Sequence, residues 1–528
     1  MRLLHRGPAR TERHVEQPGK CAPAARTALA WGALGGLAAA LAMTLLMLTL
    51  RATFGLPTPA EMIGDRLTAF ITIQQFFALL AQFGGYEGLK QAGGGGVIAG
   101  QLVVGLVAGV AFAGYARARQ RRWPFAAAIV GVLWLLTVVL LWPNLTTNYR
   151  GLPPDAARMA TLVSLLVTYG LYGLVLVGVW RFMQVPATDV EHPSTGRRAV
   201  LVGGVGAILA IATGGLLRHL ADLATFDYDG LEYRGGDVQP ITPNERFYTV
   251  TKNIVDPDPT TAAWRLEISG LVDQPQVYTF DAIRALPATT QETTLMCISN
   301  YVGGGLMSNA VWKGLPLRDL LLAAGPRPGI AKVVLHAADG YTDTYPLEKA
   351  LEPTTFVAYE MNGEPLPVRH GYPVRILTPG LFGEKSVKWV TRIELVEHDV
   401  KGFYEQQGWG PNFVIPIRTT FFASDFATPL TGGSIPIRGN AFAGNRGIAS
   451  VEVSADGGLS WYPARIDYPG TDVTWAFWTF DWQPSQAGDY LLVARATDRQ
   501  GQSQDGLYRD TAPEGATGYP SLHVRATG

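Results

Sequence analysis

The stretch NGEPLPVRHGYPVRILTPGLFGEKSVKWVTRIEL, residues 362–395, contains one short β-branched run, PVRILTP, and all but the last residue of a second, VTRIELV, the two separated by a turn holding Gly380 and Gly383. Runs of this length bounded by Gly and Pro read as strands. Upstream, WRLEISG (264–270) and KVVLHAA (332–338) have the same character, while LPLRDLLLAAG (315–325) spaces its leucines along one face of a helix. Strands and helices mixed in this way predict an α+β domain over residues 228–410.

Downstream the pattern changes. After NFVIPIR (412–418), the runs SIPIRGNAF, IASVEVSADGG, WYPARIDY, TWAFWTFDW and DYLLVARATD alternate polar and apolar residues between Gly, Asp and Pro turns. That alternation predicts a seven-strand-type immunoglobulin-like β-sandwich over 411–528. Trp461, Trp475, Trp478 and Trp482 read as its core.

Upstream the chain is of a different kind. Hydrophobic residues make up 48% of the 528, and nearly all the long apolar runs lie before residue 220. Crossing a bilayer takes about 20 apolar residues, and Ala28–Leu50, Val97–Gly114, Pro124–Trp142 and Met159–Trp180 meet that need; a fifth stretch, Ala199–Leu217, is richer in Gly and Ala and less hydrophobic but carries no charge. A membrane α-helical anchor over 28–220 is therefore expected, after a basic tail at 1–27. Arg2, Arg6, Arg10, Arg13, Lys20 and Arg26 precede the first span. Arg117, Arg119, Arg121 and Arg122 separate the second from the third, and Arg197 and Arg198 precede the fifth. Placing all three clusters inside gives a multi-pass protein of the cell membrane, with the N-terminus cytoplasmic and the large C-terminal part extracytoplasmic. Leu67–Phe83 is uncharged but carries Thr68, Thr72, Gln74, Gln75 and Gln82, which are costly in lipid, so it reads as interfacial or re-entrant. Arg197 and Arg198 stand before a glycine-rich span and read two ways: as a topology signal, or as a twin-arginine export signal.

Charge and histidine usage exclude several functions. Lys plus Arg equal Asp plus Glu at 43 each, so no bulk attraction to nucleic acid is expected. The span interiors contain no Asp, Glu, Lys or His, which argues against proton paths and paired-histidine haem.

Cys297, in TTLMCISNYVGGG (293–305), is one of two cysteines; the other, Cys21, falls on the opposite side of the membrane in this topology. A disulfide between them is thereby excluded, and no Cys/His pair near Cys297 suggests structural zinc. Three readings remain: a buried structural thiol, a nucleophile served by His336, His370 or His398, or a single thiolate on a metal held mainly by something else.

ITPNERFYTVTKN (241–253), WRLEISGLVDQP (264–275), the cysteine segment, VWKGLPLRDLL (311–321), residues 358–395 and IRGNAFAGNRGIASVEVSADGGLSWYPARI (437–466) occur in that order. Together they resemble the sulfite oxidase family of molybdenum-cofactor oxidoreductases across nearly all of 240–528. The resemblance implies a molybdenum cofactor with one pyranopterin, and Cys297 as its one protein thiolate and the catalytic metal ligand. It implies phosphate binding by His370, Arg375, Ser386, Val387 and Lys388; taken alone, Arg375 and Lys388 would read as solvated strand residues. Asp339 and Thr251, Lys252 and Asn253 fall at further cofactor-contacting positions. The family's sandwich also implies a homodimer.

The chain departs from the family pattern where sulfite oxidases carry substrate arginines and a tyrosine. It has Val250, Val302 and, in approximate alignment, Trp409 there. An apolar pocket suits a sulfoxide-like substrate better than sulfite. The leading expectation is therefore two-electron oxygen-atom transfer on the extracytoplasmic side. A sulfite dehydrogenase-type enzyme and a non-catalytic binding module on a membrane scaffold are the alternatives. With no CxxCH and no iron–sulfur cysteine set, electrons pass to an external carrier, a quinone or a cytochrome, and membrane lipid is the other partner.

Overall fold

In a computed structural model the protein is described over residues 25–68, 70–119, 122–184, 195–223, 238–422, 430–431 and 433–527. The basic tail as far as residue 24, Cys21 and Arg121 lie outside the described residues.

The apolar runs form long helices: α1 (Ala25–Phe54), α4 (Tyr86–Arg119), α5 (Arg122–Leu140), α6 (Pro154–Met183) and α7 (Thr195–Asp222), with shorter α2 (Pro59–Thr68) and α3 (Ile73–Phe83) after the first. At 1.5 Å per residue the 30 residues of α1 extend for about 45 Å, against a hydrocarbon core of about 30 Å. All five long helices are long and apolar enough to cross a membrane. The Leu67–Phe83 segment is not one continuous helix. A cap intervenes at Thr72, whose hydroxyl accepts from Gln75 N–H while the Gln75 side chain accepts from Thr72 N–H. The 11 residues of α3 that follow are too short to span.

Two compact units divide the chain. One comprises Met1–Leu45, Gly100–Leu133 and Thr168–Thr213; the other comprises Leu46–Ala99, Trp134–Val167 and Gly214–Gly528. Within the first, α1 and α4 meet backbone to backbone. A Cβ on Gly36 would collide with Gly105 O, and one on Gly109 with Gly32 O. Small residues four apart on both helices permit that approach.

The second unit holds the sheets. Strands β1 (Leu266–Gly270), β2 (Gln276–Tyr278), β5 (Lys332–Ala337), β6 (Thr342–Tyr345) and β10 (Val390–Val396) form one sheet in the order β2-β1-β10-β5-β6. Its parallel β1–β10 pairing sets Glu267 opposite Arg392, which are joined by an ion pair at 2.7 Å. Strands β3 (Thr289–Met296), β4 (Met307–Pro316), β7 (Phe356–Met361) and β8 (Glu364–Pro365) form a second sheet, and β9 (Arg375–Leu377) pairs with β7. LPLRDLLLAAG gives the helix Leu317–Ala324, whose Leu317, Leu320 and Leu321 enter a core shared with Trp264, Ile268, Leu335 and Ile393.

After residue 411 two further sheets form. β11 (Arg418–Phe421), β13 (Ile435–Phe442), β17 (Ala476–Trp482) and β16 (Arg465–Tyr468) make one. β12 (Leu430–Thr431), β19 (Ser521–Thr527), β18 (Gly488–Asp498), β14 (Ile448–Ser454) and β15 (Tyr462–Pro463) make the other. Ile437 and Trp478 from the first share one apolar core with Val453 and Leu492 from the second. The two-residue strands β12 and β15 bring the described total above seven. Trp475, Trp478 and Trp482 are buried as expected, but Trp461 is not core. It is half-buried, edge-on to Tyr519 and beneath the Arg495 guanidinium at 4.2 Å.

Candidate active site

Cys297 follows directly on β3, and its turn is held from three sides. Cys297 N–H donates to Leu306 O (3.0 Å), Asn300 N–H donates to Cys297 O (3.1 Å), and Leu306 N–H donates to Asn300 Oδ1 (3.0 Å). Buried Arg418 on β11 then clamps the turn, with Nη1 donating to Asn300 O (3.1 Å) and Nη2 to Tyr301 O (2.6 Å). The thiol lies 3.0 Å from Ser299 Oγ. Burial, aided by the charge of Glu384, pushes Cys297 up to about 11. A thiol so protonated is a poor free nucleophile, whereas a bound metal ion displaces its proton.

The 362–395 block supplies the cationic wall. Gly371, at φ 115°, turns the chain so tightly that a Cβ there would lie 3.0 Å from Arg375 Cβ and 3.1 Å from Lys388 Cβ. His370, 5% exposed, donates from Nε2 to Asn244 O at 2.8 Å, which fixes the tautomer. Burial holds it neutral, at about 3. Arg375, 5% exposed, donates to His370 O (3.0 Å) and Ser386 O (3.2 Å). Its Nε is buried and has no partner among the described residues. Burial lowers Arg375 to about 10 and Lys388 to about 8. Lys388 Nζ donates to Arg369 O (3.1 Å) and Val250 O (3.3 Å). Ser386 Oγ accepts Thr378 N–H at 3.0 Å, and Val387 O accepts Ile376 N–H at 2.9 Å.

The 251–253 segment adjoins this wall, next to the Val250 carbonyl that Lys388 reaches. Thr251 Oγ1 donates to Asp256 Oδ1 (2.6 Å), and Asn253 Nδ2 donates to Asp339 Oδ2 (2.9 Å). Lys252 Nζ meets both oxygens of Asp65 (2.8 and 2.9 Å) and Asp339 O (2.9 Å). Burial pulls Lys252 down, but Asp65 and Asp339 outweigh it and keep the ammonium charged. Asn253 Oδ1 is buried without a partner among the described residues.

One cavity of about 710 Å³, lined wholly by residues of the second unit, takes in all ten expected positions: Cys297, Thr251, Lys252, Asn253, Asp339, His370, Arg375, Ser386, Val387 and Lys388. Val250 and Trp409 line it as well; Val302 is not among the lining residues.

Other lining residues were not picked out from the sequence. Glu384 sits in the turn after Gly383, where a Cβ would press on Tyr248 Oη and come within 3.3 Å of Met296 O, just before Cys297. Both Glu384 carboxyl oxygens are buried and make no hydrogen bond of good geometry among the described residues. Burial pushes the group up to about 8, the nearby amides of Glu384 and Ile298 offsetting only part. Tyr341 Oη donates to Asp343 Oδ2 (2.7 Å) at the same end. Asp65, Thr68 and Phe76 line the cavity from α2 and α3.

The donor set fits a molybdenum–pyranopterin group. A soft sulfur faces the cavity for the metal, an under-bonded buried guanidinium beside Lys388 awaits an anion, and the open Asn253 Oδ1 awaits a donor.

Residues 252–404 match the family model described as oxidoreductase molybdopterin binding domain, and 424–507 the one described as Mo-co oxidoreductase dimerisation domain. The chain is 32% identical over 310 residues to the mitochondrial sulfite oxidase of Drosophila melanogaster, covering 49% of this chain and 54% of that protein. It is 35% identical over 146 residues to the uncharacterized oxidoreductase YuiH of Bacillus subtilis, covering 28% of this chain and 72% of that one. The solved sulfane dehydrogenase SoxCD of Paracoccus pantotrophus is similar at 26% identity and a TM-score of 0.49, over 55% of this chain and 82% of its own. The chain spans about half the length of the curated sulfite oxidases it matches.

Proposed function

The chain belongs to the sulfite oxidase family of molybdenum-cofactor oxidoreductases, and from that premise we propose a membrane-anchored enzyme that moves an oxygen atom from a neutral, sulfoxide-like substrate. The cofactor supplies, when bound, a metal that takes part in two-electron oxygen-atom transfer. Cys297 would hold the metal through its thiolate. Arg375 and Lys388 would neutralise the pterin phosphate, with His370, Ser386 and Val387 shaping the cradle and the unpartnered Arg375 Nε donating to it. Thr251, Lys252, Asn253 and Asp339 would make further contacts to the cofactor.

The substrate reading rests on one observation. The acid Glu384, whose two buried oxygens lack a well-formed hydrogen bond among the described residues, lies beside the Cys297 turn, and Val250 lines the same cavity. A dianion there would face a carboxyl group. A neutral sulfoxide instead offers an oxygen that the Glu384 carboxyl, in its acid form, can hydrogen-bond, and its apolar flanks suit Val250 and Trp409. Turnover of methyl sulfoxides with a reduced soluble dye as donor, against that of sulfite with an oxidised dye as acceptor, tests this. Sulfoxide turnover at least tenfold the faster is expected; the reverse order would replace this reading with a sulfite dehydrogenase.

We read the five long helices as spans with the basic clusters on the cytoplasmic side, which leaves the cofactor site extracytoplasmic. The two C-terminal sheets form an immunoglobulin-like sandwich that pairs two copies of the chain. Arg197 and Arg198 serve as a twin-arginine signal, because a domain that takes up its cofactor in the cytoplasm crosses already folded. Replacing both by Lys keeps the positive charge, so loss of the exported domain supports this role and normal export contradicts it.

A further inference from the structure

The cavity does not stop at the cofactor's residues. It runs on to Leu48 of α1, Val97 and Ile98 of α4, and Leu217 and Leu220 of α7, all in helices long and apolar enough to cross a membrane. One side of this extension is nearly bare. Gly93, Gly94 and Gly95 of α4 line it, and a Cβ on Gly93 or Gly95 would meet nothing within 4 Å. At the junction of the two parts, Lys90 crosses from α4 and donates from Nζ to Asn253 O at 2.7 Å. The space therefore has a polar end at Cys297 and an apolar end at the membrane helices, with Gly93 and Gly95 leaving room between.

We propose that the apolar end is the binding site of a lipid-soluble quinol, which reaches the cofactor cavity from the bilayer and serves as the electron donor. Three observations point to that occupant. The chain holds two cysteines and no CxxCH, so its sequence provides no iron–sulfur or c-type haem relay of its own. The Leu and Val side chains at the far end suit an isoprenoid tail, and the room left beside Gly93 and Gly95 suits a planar ring. The site is continuous with the cavity of Cys297, so no separate conduit is needed. The inference rests on the oxygen-transfer and membrane readings above.

The balance closes without a further reactant. The quinol gives up two electrons and two protons as it becomes quinone. The sulfoxide takes the electrons as its S–O bond breaks, and its oxygen leaves with the two protons as water.

The test uses the full-length holoprotein in lipid nanodiscs with a decyl-chain quinone. Binding is followed by quenching of tryptophan fluorescence, since Trp409 lines the cavity. Sulfoxide reduction is driven in parallel by the decyl-quinol and by a reduced viologen. Gly95→Leu fills the open wall and raises helix propensity. Gly114→Leu, on the same helix and likewise without neighbours within 4 Å, is the control away from the cavity. Gly95→Leu is expected to weaken quinone binding tenfold or more, and to lower the quinol-to-viologen rate ratio by a similar factor, with Gly114→Leu leaving both as they are. Viologen-driven turnover with no quinone binding would overturn the site and leave the oxygen-transfer reading standing, a cytochrome partner then taking the donor's place. A Gly95→Leu protein whose sulfoxide KM rises while its quinone affinity holds would also overturn it, assigning the apolar end to substrate. Failure of viologen-driven turnover would count against oxygen transfer alone, because binding still decides the quinone site.

Discussion

Lys252 Nζ stands 2.8 Å from Asp65 Oδ1, both side chains being largely buried, so the short helix α2 is ion-paired to the 251–253 wall of the cofactor cavity. Removing one partner of such a pair strands a buried charge, at a cost of about 3–5 kcal/mol. Lys252→Met is expected to lower the thermal midpoint of the purified protein sharply. Lys252→Met with Asp65→Leu should recover most of the loss. A double variant no more stable than the single one would show that Lys252 acts through Asp339 instead.

Arg375 carries a different load. Its guanidinium is fully buried, is under-bonded at Nε, and is pulled below its usual range by burial. Arg375→Lys keeps a cation but loses the planar fork. Pterin per chain should fall at least tenfold in Arg375→Lys, measured by the fluorescence of its oxidised form. Retention at the wild-type level would move the phosphate site elsewhere.

Glu384 yields a pH prediction for the cofactor-free protein. In the fold it keeps its proton up to about 8, against an ordinary value of 4.5. Between those values the unfolded chain has released the proton and the folded one has not, so stability falls as pH rises through this window and levels off above it. Glu384→Gln removes the dependence. Its stability advantage over the wild type should widen by a few kcal/mol at most from pH 5 to 8, at roughly 1.4 kcal/mol per unit as the limit. A gap independent of pH would mean that the carboxyl is already ionised in the fold.

Particular residues of the site show where the sequence was readable. Arg375 and Lys388 lie in a block dense with Gly and Pro, whose spacing carries the family resemblance, and the structure places both on one wall with His370. The five long helices were legible because apolar runs of that length have few alternatives. Glu384 was not legible. An acid between Gly383 and Lys385 reads as an exposed turn, and it is buried only because Gly383 lets the turn press on Tyr248. Arg418 was equally hidden, its role set by carbonyls of Asn300 and Tyr301 more than 100 residues away in the chain. Trp461 misled in the other direction. A residue between a turn and the two-residue strand β15 has no periodicity to say that Arg495, and not the core, covers it. The cavity's extension toward α4 depends on side chains that Gly93 and Gly95 lack, which no hydrophobic pattern records.

The most direct test of the account is molybdenum and pterin per chain in the full-length protein, made in a cofactor-competent host, with Cys297→Ser prepared in parallel. Near-stoichiometric metal in the wild type is predicted, with loss of molybdenum or a changed molybdenum spectrum in Cys297→Ser. Wild-type metal content and an unaltered spectrum in Cys297→Ser would contradict the assignment of Cys297 as the ligand.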